Sequence, residues 1–116
     1  MHFDKAFFIS LPNHTPERIQ RFYKRSKKQH LDVTLWPGVY GNDVNIQEYQ
    51  DRGYLTQDFI LYLPGSLGCM LSHVSLWDHV DKDTTCEVAL IFEDDVLFKR
   101  NFLKRLKNIP WSDVPD

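Results

Sequence analysis

With 116 residues, 42% of them apolar and 14% aromatic, the chain has material for one hydrophobic core and no room for a second, which excludes a disordered segment. A net charge of -2, with basic residues dispersed or set on predicted helix faces, gives no general attraction for nucleic acid, and none is expected as a partner. Cys69 and Cys86 have the spacing of neither a zinc site nor a redox pair, so two reduced thiols in a cytoplasmic compartment are the expectation.

The opening Met1–Lys5, with a short apolar run cut by Pro12, is not expected to act as a signal peptide. No window reaches bilayer length, so membrane association is expected to be peripheral, at the inner face. Ala6 to Leu11 reads as a strand buried on both faces, as in a parallel sheet. Thr15 followed by Pro16 predicts a capped helix start, and Ile19, Phe22 and Tyr23 continue at helical spacing to about Lys28. Val33 to Trp36 is a second strand, stopped by Pro37-Gly38. Asp43 caps a short helix to about Arg52, where Gly53 suits a left-handed closing position. Phe59 to Leu63 is apolar with no clear period, and Pro64-Gly65 ends it. From Ser66, a stripe of Leu67, Met70, Leu71, Val74, Trp77 and Val80, with Cys69, His73 and Leu76 beside it, predicts a helix covered on two sides. A strand at Val88 to Phe92, an apolar segment at Val96 to Phe98 and a helix from Asn101 to about Lys107 complete the order. The alternation predicts an α/β protein, a mostly parallel sheet with flanking helices.

The most informative stretch is Leu90-Ile91-Phe92-Glu93-Asp94-Asp95-Val96, where a buried-strand pattern ends in three consecutive carboxylates. At ~6 Å and an effective dielectric of ~20, each unpaired like-charge contact opposes the fold by ~3 kcal/mol. A divalent cation with oxygen ligands is the natural neutraliser. In open α/β sheets such a strand end is also where ligands bind.

One longer pattern carries a resemblance. Gly65-Ser66-Leu67-Gly68-Cys69-Met70-Leu71-Ser72-His73-Val74-Ser75-Leu76-Trp77, followed by Ala89 to Val96, resembles glycosyltransferase family 25, which includes bacterial lipooligosaccharide galactosyltransferases and procollagen galactosyltransferases. Phe8-Ile9-Ser10-Leu11-Pro12, with Glu17-Arg18 after it, is similar to the family's opening strand and nucleotide-proximal loop. The resemblance implies a GT-A-like, Rossmann-like fold, with residues 1–116 as a single domain, the donor-binding amino-terminal portion, truncated at its carboxyl end. It implies transfer of a hexose, galactose first, from a UDP-sugar to a hydroxyl of a lipooligosaccharide or other surface glycan, assisted by Mn2+ or Mg2+ at a DXD-like motif. Glu93 and Asp95 are then the expected metal ligands, since in an extended segment they point to one side and Asp94 to the other; a turn lets Asp94 exchange roles with either. Arg18, Ser72, His73 and Asp94 are expected to bind the donor. The base for the acceptor hydroxyl is not identified among these residues.

The remaining candidates read more plainly. Cys69 is expected in the core, Trp36 and Trp77 as packing residues, Trp111 as either packing or sugar-stacking, and Arg21 on a solvated face. Asn13, His14 and Thr15 are candidates for uridine contact, although capping alone explains Thr15. Lys99, Arg100, Lys104, Arg105 and Lys107 are expected as the exposed face of the last helix, with an anionic membrane or glycolipid surface as the alternative. An open edge strand makes a homo-oligomer an expectation. Two other functions stay open: a non-catalytic nucleotide-sugar-binding remnant or partner module, and an unrelated Mg2+-dependent phosphoryl enzyme.

Overall fold

Three parallel strands in the spatial order β2-β1-β3 form the centre of the structure, a computed structural model that describes residues 1–114. The elements are β1 (Lys5–Ser10), α1 (Pro16–Lys28), β2 (Thr34–Pro37), a 3-10 turn at Gly41–Asp43, α2 (Ile46–Asp51), α3 (Pro64–Lys82), β3 (Ala89–Glu93), α4 (Phe102–Lys107) and a 3-10 turn at Trp111–Asp113. This is the α/β architecture the alternation predicts. The first crossover leaves β1 toward one side and the second returns to its other side, so the chain reverses direction between β1 and β3. Among the described residues, no helix is long and apolar enough to cross a membrane.

The period of two in the strands decides which helix each side chain meets. Phe8 of β1 stacks on Phe22 of α1 at 4.1 Å, and both are fully buried. Phe92 of β3 adjoins the same cluster through Phe22 and Phe98. Phe7 points the other way, meeting His79 of α3 edge-on. The sheet therefore carries α1 on one face and α3 on the other.

Several local expectations change. Thr15 precedes α1 but makes no side-chain cap; its hydroxyl donates to Leu11 O instead. Asn45, not Asp43, caps α2, its side-chain oxygen accepting from Glu48 N at 3.2 Å, while Asp43 lies in the preceding 3-10 turn. Gly53 does take a positive φ, of 80°. On α3 the buried line is Leu67, Gly68, Leu71, Ser72 and Leu76, leaving Met70 and Trp77 exposed. Gly68 and Ser72 join the leucines on that line because a backbone segment, not a side chain, packs against them. Phe59–Leu63 forms no helix or strand, and Tyr62 is 83% exposed.

An ion pair ties β1 to the end of α3. Asp83 accepts from the Lys5 ammonium and from the Thr85 hydroxyl and backbone N–H, which holds its carboxyl below the usual carboxylate range. Because the folded pKa is depressed, this contribution is full above the unfolded value and disappears as pH falls toward the folded one. The melting-temperature gap between wild type and Asp83→Asn is expected to hold steady from about pH 5 to 7 and to close below about pH 4. Thermal melts across that range check it; a gap that widens in acid contradicts the pairing.

Candidate functional site

The same alternation distributes the acidic triplet. Glu93 pairs in register with Ile9, on the α3 face of the sheet, so its carboxylate meets α3, with Oε1 3.5 Å from His73 Nε2 and 3.7 Å from Cys69 Sγ. Asp94 follows on the opposite face, toward α1. There Ser10 Oγ donates to its Oδ2 at 2.6 Å and Arg18 Nη1 to its Oδ1 at 3.3 Å. The chain turns at Asp94-Asp95, with Val96 N donating to Glu93 O at 3.3 Å. Arg25 fixes that turn from α1, donating to Asp94 O at 2.7 Å and Val96 O at 3.0 Å. The charge repulsion expected of the bare triplet is thus met in part by protein groups: Asp94 is satisfied by Ser10 and Arg18, and Glu93 stands beside an imidazole. The Asp95 carboxylate is exposed and forms no ion pair or hydrogen bond among the described residues.

These groups open onto a cavity of about 300 Å³ at the carboxyl ends of β1 and β3, the point where the chain direction reverses. Open α/β sheets bind ligands at such a point, because the loops from the two flanking strands diverge and leave a crevice. Glu93, Asp94, Asp95, Arg18, Ser72 and His73 all line it, so the structure brings the six residues expected to bind metal and donor together, without the uridine candidates Asn13, His14 and Thr15. A larger depression of about 790 Å³, walled by Val74, Trp77 and Ile91, lies away from the carboxyl ends of the strands and from the triplet.

One wall is built by close backbone approach. The segment Val39–Asn42 lies against the first turns of α3, and both contacts require glycine. A Cβ on Gly68 would lie 2.6 Å from Val39 O, and one on Gly41 only 1.6 Å from Pro64 O. Ser72 locks the arrangement, its Oγ accepting from Val39 N at 2.7 Å and donating to Gly68 O at 2.6 Å. Its cavity-lining position is therefore combined with a structural role. Removing this buried hydroxyl strands the Val39 N–H, a loss of about 1–3 kcal/mol. Ser72→Ala is expected to lower the urea midpoint accordingly at unchanged slope.

Other residues fall differently. Cys69, expected in the core, is exposed at the cavity, because Gly68 and Ser72 take the buried line instead. Both cysteines are free thiols, and burial, then the adjacent Glu93 carboxylate, push the Cys69 thiol up. Asn13 and His14 line a neighbouring hollow, where His14 stacks on Tyr40 at 3.8 Å; Tyr40 borders both spaces. Arg21 is exposed on α1 and does not line the cavity. Lys99, Arg100, Lys104, Arg105 and Lys107 are exposed, as expected of a solvated face. Trp36 packs as expected, its Nε1 donating to Ser75 Oγ at 3.1 Å, whereas Trp111 is 52% exposed. Sequence reasoning missed Ser10 and Arg25. Ser10 had one available signal, as the polar residue closing an apolar strand; Arg25 had none.

The residues present fit a divalent cation. Glu93 and Asp95 offer carboxylate oxygens on the cavity wall without an Arg or Lys partner among the described residues, while Asp94 is already committed. One or two carboxylates with substrate phosphates are what a hard cation such as Mg2+ takes.

Residues 3–112 match Glycosyltransferase family 25 (LPS biosynthesis protein). The chain is 29% identical over 122 residues to procollagen galactosyltransferase 1-A of Xenopus laevis and 31% identical over 118 residues to procollagen galactosyltransferase 2 of Homo sapiens. It is 32% identical over 123 residues to inactive glycosyltransferase 25 family member 3 of Mus musculus. Each alignment takes in 94% of this chain but 19%, 18% and 19% of the respective relative, so the chain spans about a fifth of the length of the curated relatives it matches. No solved structure matches the chain. With the motifs of α3 and β3 both inside the matched residues, the chain belongs to glycosyltransferase family 25.

Proposed function

We propose that the cavity at the carboxyl ends of β1 and β3 is the donor site of a hexosyltransferase that takes a UDP-sugar, galactose first, for transfer to a hydroxyl of a surface glycan. The observation that carries this reading is the convergence of Arg18, the acidic triplet and the amino-terminal turn of α3 on one crevice at the sheet's reversal point. Arg18 reaches the crevice from α1 and offers guanidinium hydrogens to a diphosphate, while its bond to Asp94 orients it. The first turn of α3, represented in the lining by Gly65, adds unpaired backbone N–H groups and the positive end of a 19-residue helix. Glu93 and Asp95 would hold Mn2+ or Mg2+ at this site. When bound, that cation supplies Lewis-acid neutralisation of the departing UDP. In the transfer, the acceptor hydroxyl's oxygen bonds to the anomeric carbon as the bond from that carbon to UDP breaks, the electron pair leaving on the diphosphate and the hydroxyl proton passing to water.

Calorimetric titration of the chain with UDP-galactose, with Mn2+ and again with a chelator, tests this. Metal-requiring binding is expected; a folded sample that binds in neither condition refutes the donor site. A second reading, a binding module without transfer activity, is favoured by the likeness to a relative named inactive. Donor binding without release of UDP in the presence of acceptor glycans would select it.

A further inference from the structure

Cys69 and His73 stand four residues apart on α3, the spacing that places two side chains on one helix face, and both are turned toward Glu93 at the end of β3. One atom from each, a sulfur, a ring nitrogen and a carboxylate oxygen, lies within 4.8 Å of the other two. We propose that Cys69, His73 and Glu93 form a three-ligand site for a borderline-soft divalent cation, Zn2+ being the fitting member, with the fourth position open to the cavity. A tetrahedral zinc with ordinary bond lengths sets its ligand atoms ~3.3–3.6 Å apart. The Glu93 oxygen already stands 3.5 Å from the imidazole nitrogen and 3.7 Å from the sulfur, and sulfur and nitrogen lie within 4.8 Å of each other, a spread on the scale of side-chain rotation.

The ligands are well anchored. Glu93 is the last residue of β3 and pairs with Ile9; Cys69 and His73 lie within α3, which Ser72 pins to the Val39–Asn42 segment. Placement on regular elements gives precision that loop ligands lack. Access is open, since the His73 side chain is 25% exposed and that of Glu93 57%. The donor set also sets the selectivity. A thiolate and an imidazole favour Zn2+ or Co2+ over Mn2+ and Mg2+, which prefer all-oxygen sites. The site shares Glu93 with the proposed donor site but does not depend on that reading, because it requires only these three side chains and its test contains no nucleotide sugar.

The test is titration of the reduced chain with Co2+ alone. One equivalent is expected to give the thiolate-to-cobalt charge-transfer absorption and the intense visible bands of a four-coordinate ion, both abolished by stoichiometric Zn2+ and unaffected by excess Mg2+. Cys69→Ser is expected to lose the charge-transfer band, Cys86→Ser to keep it, and Glu93→Gln to keep it while binding Co2+ at least ~10-fold more weakly, the scale on which even outer-sphere partners act. Absence of the band from folded wild type, or its survival in Cys69→Ser, overturns the site. A readout on the unmutated chain guards against misfolded variants: Zn2+ is expected to protect Cys69 from alkylation and to leave Cys86 reactive, as mapped by peptide mass spectrometry. Equal labelling of both thiols with and without Zn2+ also overturns it.

Discussion

Gly41→Ala is expected to destabilise the fold by ~3 kcal/mol or more and to abolish ligand binding in the cavity, the largest effect of any methyl-sized change considered. The added Cβ would lie 1.6 Å from Pro64 O and 2.4 Å from Pro64 C. Overpacking usually costs about 1–3 kcal/mol where side chains can yield, and here the obstruction is backbone. Relief requires either the Val39–Asn42 segment or the start of α3 to move. Movement of the segment strains the Val39 N–H bond to Ser72; movement of α3 disturbs Leu67 and Leu71, which with Leu55 form the small core beneath. For a domain of this size, ~3 kcal/mol corresponds to a fall of about 12 °C in melting temperature. Gly65→Ala is the control. Its Cβ meets nothing within 4 Å and its φ is ordinary, so the substitution is expected to raise stability by about 0.4–1 kcal/mol through the unfolded chain's lost freedom. Thermal melts of the two variants side by side check the contrast; equal effects would mean that the close approach carries no weight.

The pair of glycines shows where sequence reading stops. The βαβ opening was legible because apolar runs, Pro12, Pro37-Gly38 and the Thr15-Pro16 start are all local signals. So was the opposite placement of Glu93 and Asp94, which needs only the period of a strand that ends at Glu93. What makes the cavity a cavity is not local. Ser10 meets Asp94 across 84 positions of chain, and Val39 N meets Ser72 across 33. No propensity encodes such contacts. The α3 stripe was misread for a related reason: hydrophobicity selects Met70 and Trp77, but close backbone packing selects Gly68 and Ser72, which lie inside with Leu67, Leu71 and Leu76 while Met70 and Trp77 face out. Cys69 moved from expected core to cavity wall by the same rotation. Phe59–Leu63 shows the converse, since an apolar run carries no information about whether anything covers it.

Two neighbouring carboxylates are expected to fail in opposite ways. Asp94→Ala removes a group whose side chain is 12% exposed and which accepts from Ser10 and Arg18. Hydrogen bonds to a charged group contribute about 1.5–3 kcal/mol each, and the loss is tempered here because Arg18 is half exposed. The expected result is a destabilisation of about 1.5–3 kcal/mol, with donor binding weakened because Arg18 loses its anchor. Asp95→Ala removes an exposed carboxylate that holds nothing in place among the described residues. Its stability is expected to stay within about 0.5 kcal/mol of wild type. Metal-dependent binding of UDP-galactose, by contrast, is expected to weaken sharply under the proposed ligation, since Glu93 is then the one carboxylate of the triplet left for the cation, Asp94 being held by Ser10 and Arg18. Urea melts and calorimetry on the same two preparations separate the outcomes. If Asp95→Ala binds the donor with wild-type metal dependence, Asp95 is no ligand. If Asp94→Ala proves as stable as wild type, the Ser10 and Arg18 contacts do not hold the turn. The geometry ties stability to the middle carboxylate because strand alternation delivers it to α1 at the start of the turn, and leaves the last one free because the turn releases it from either face.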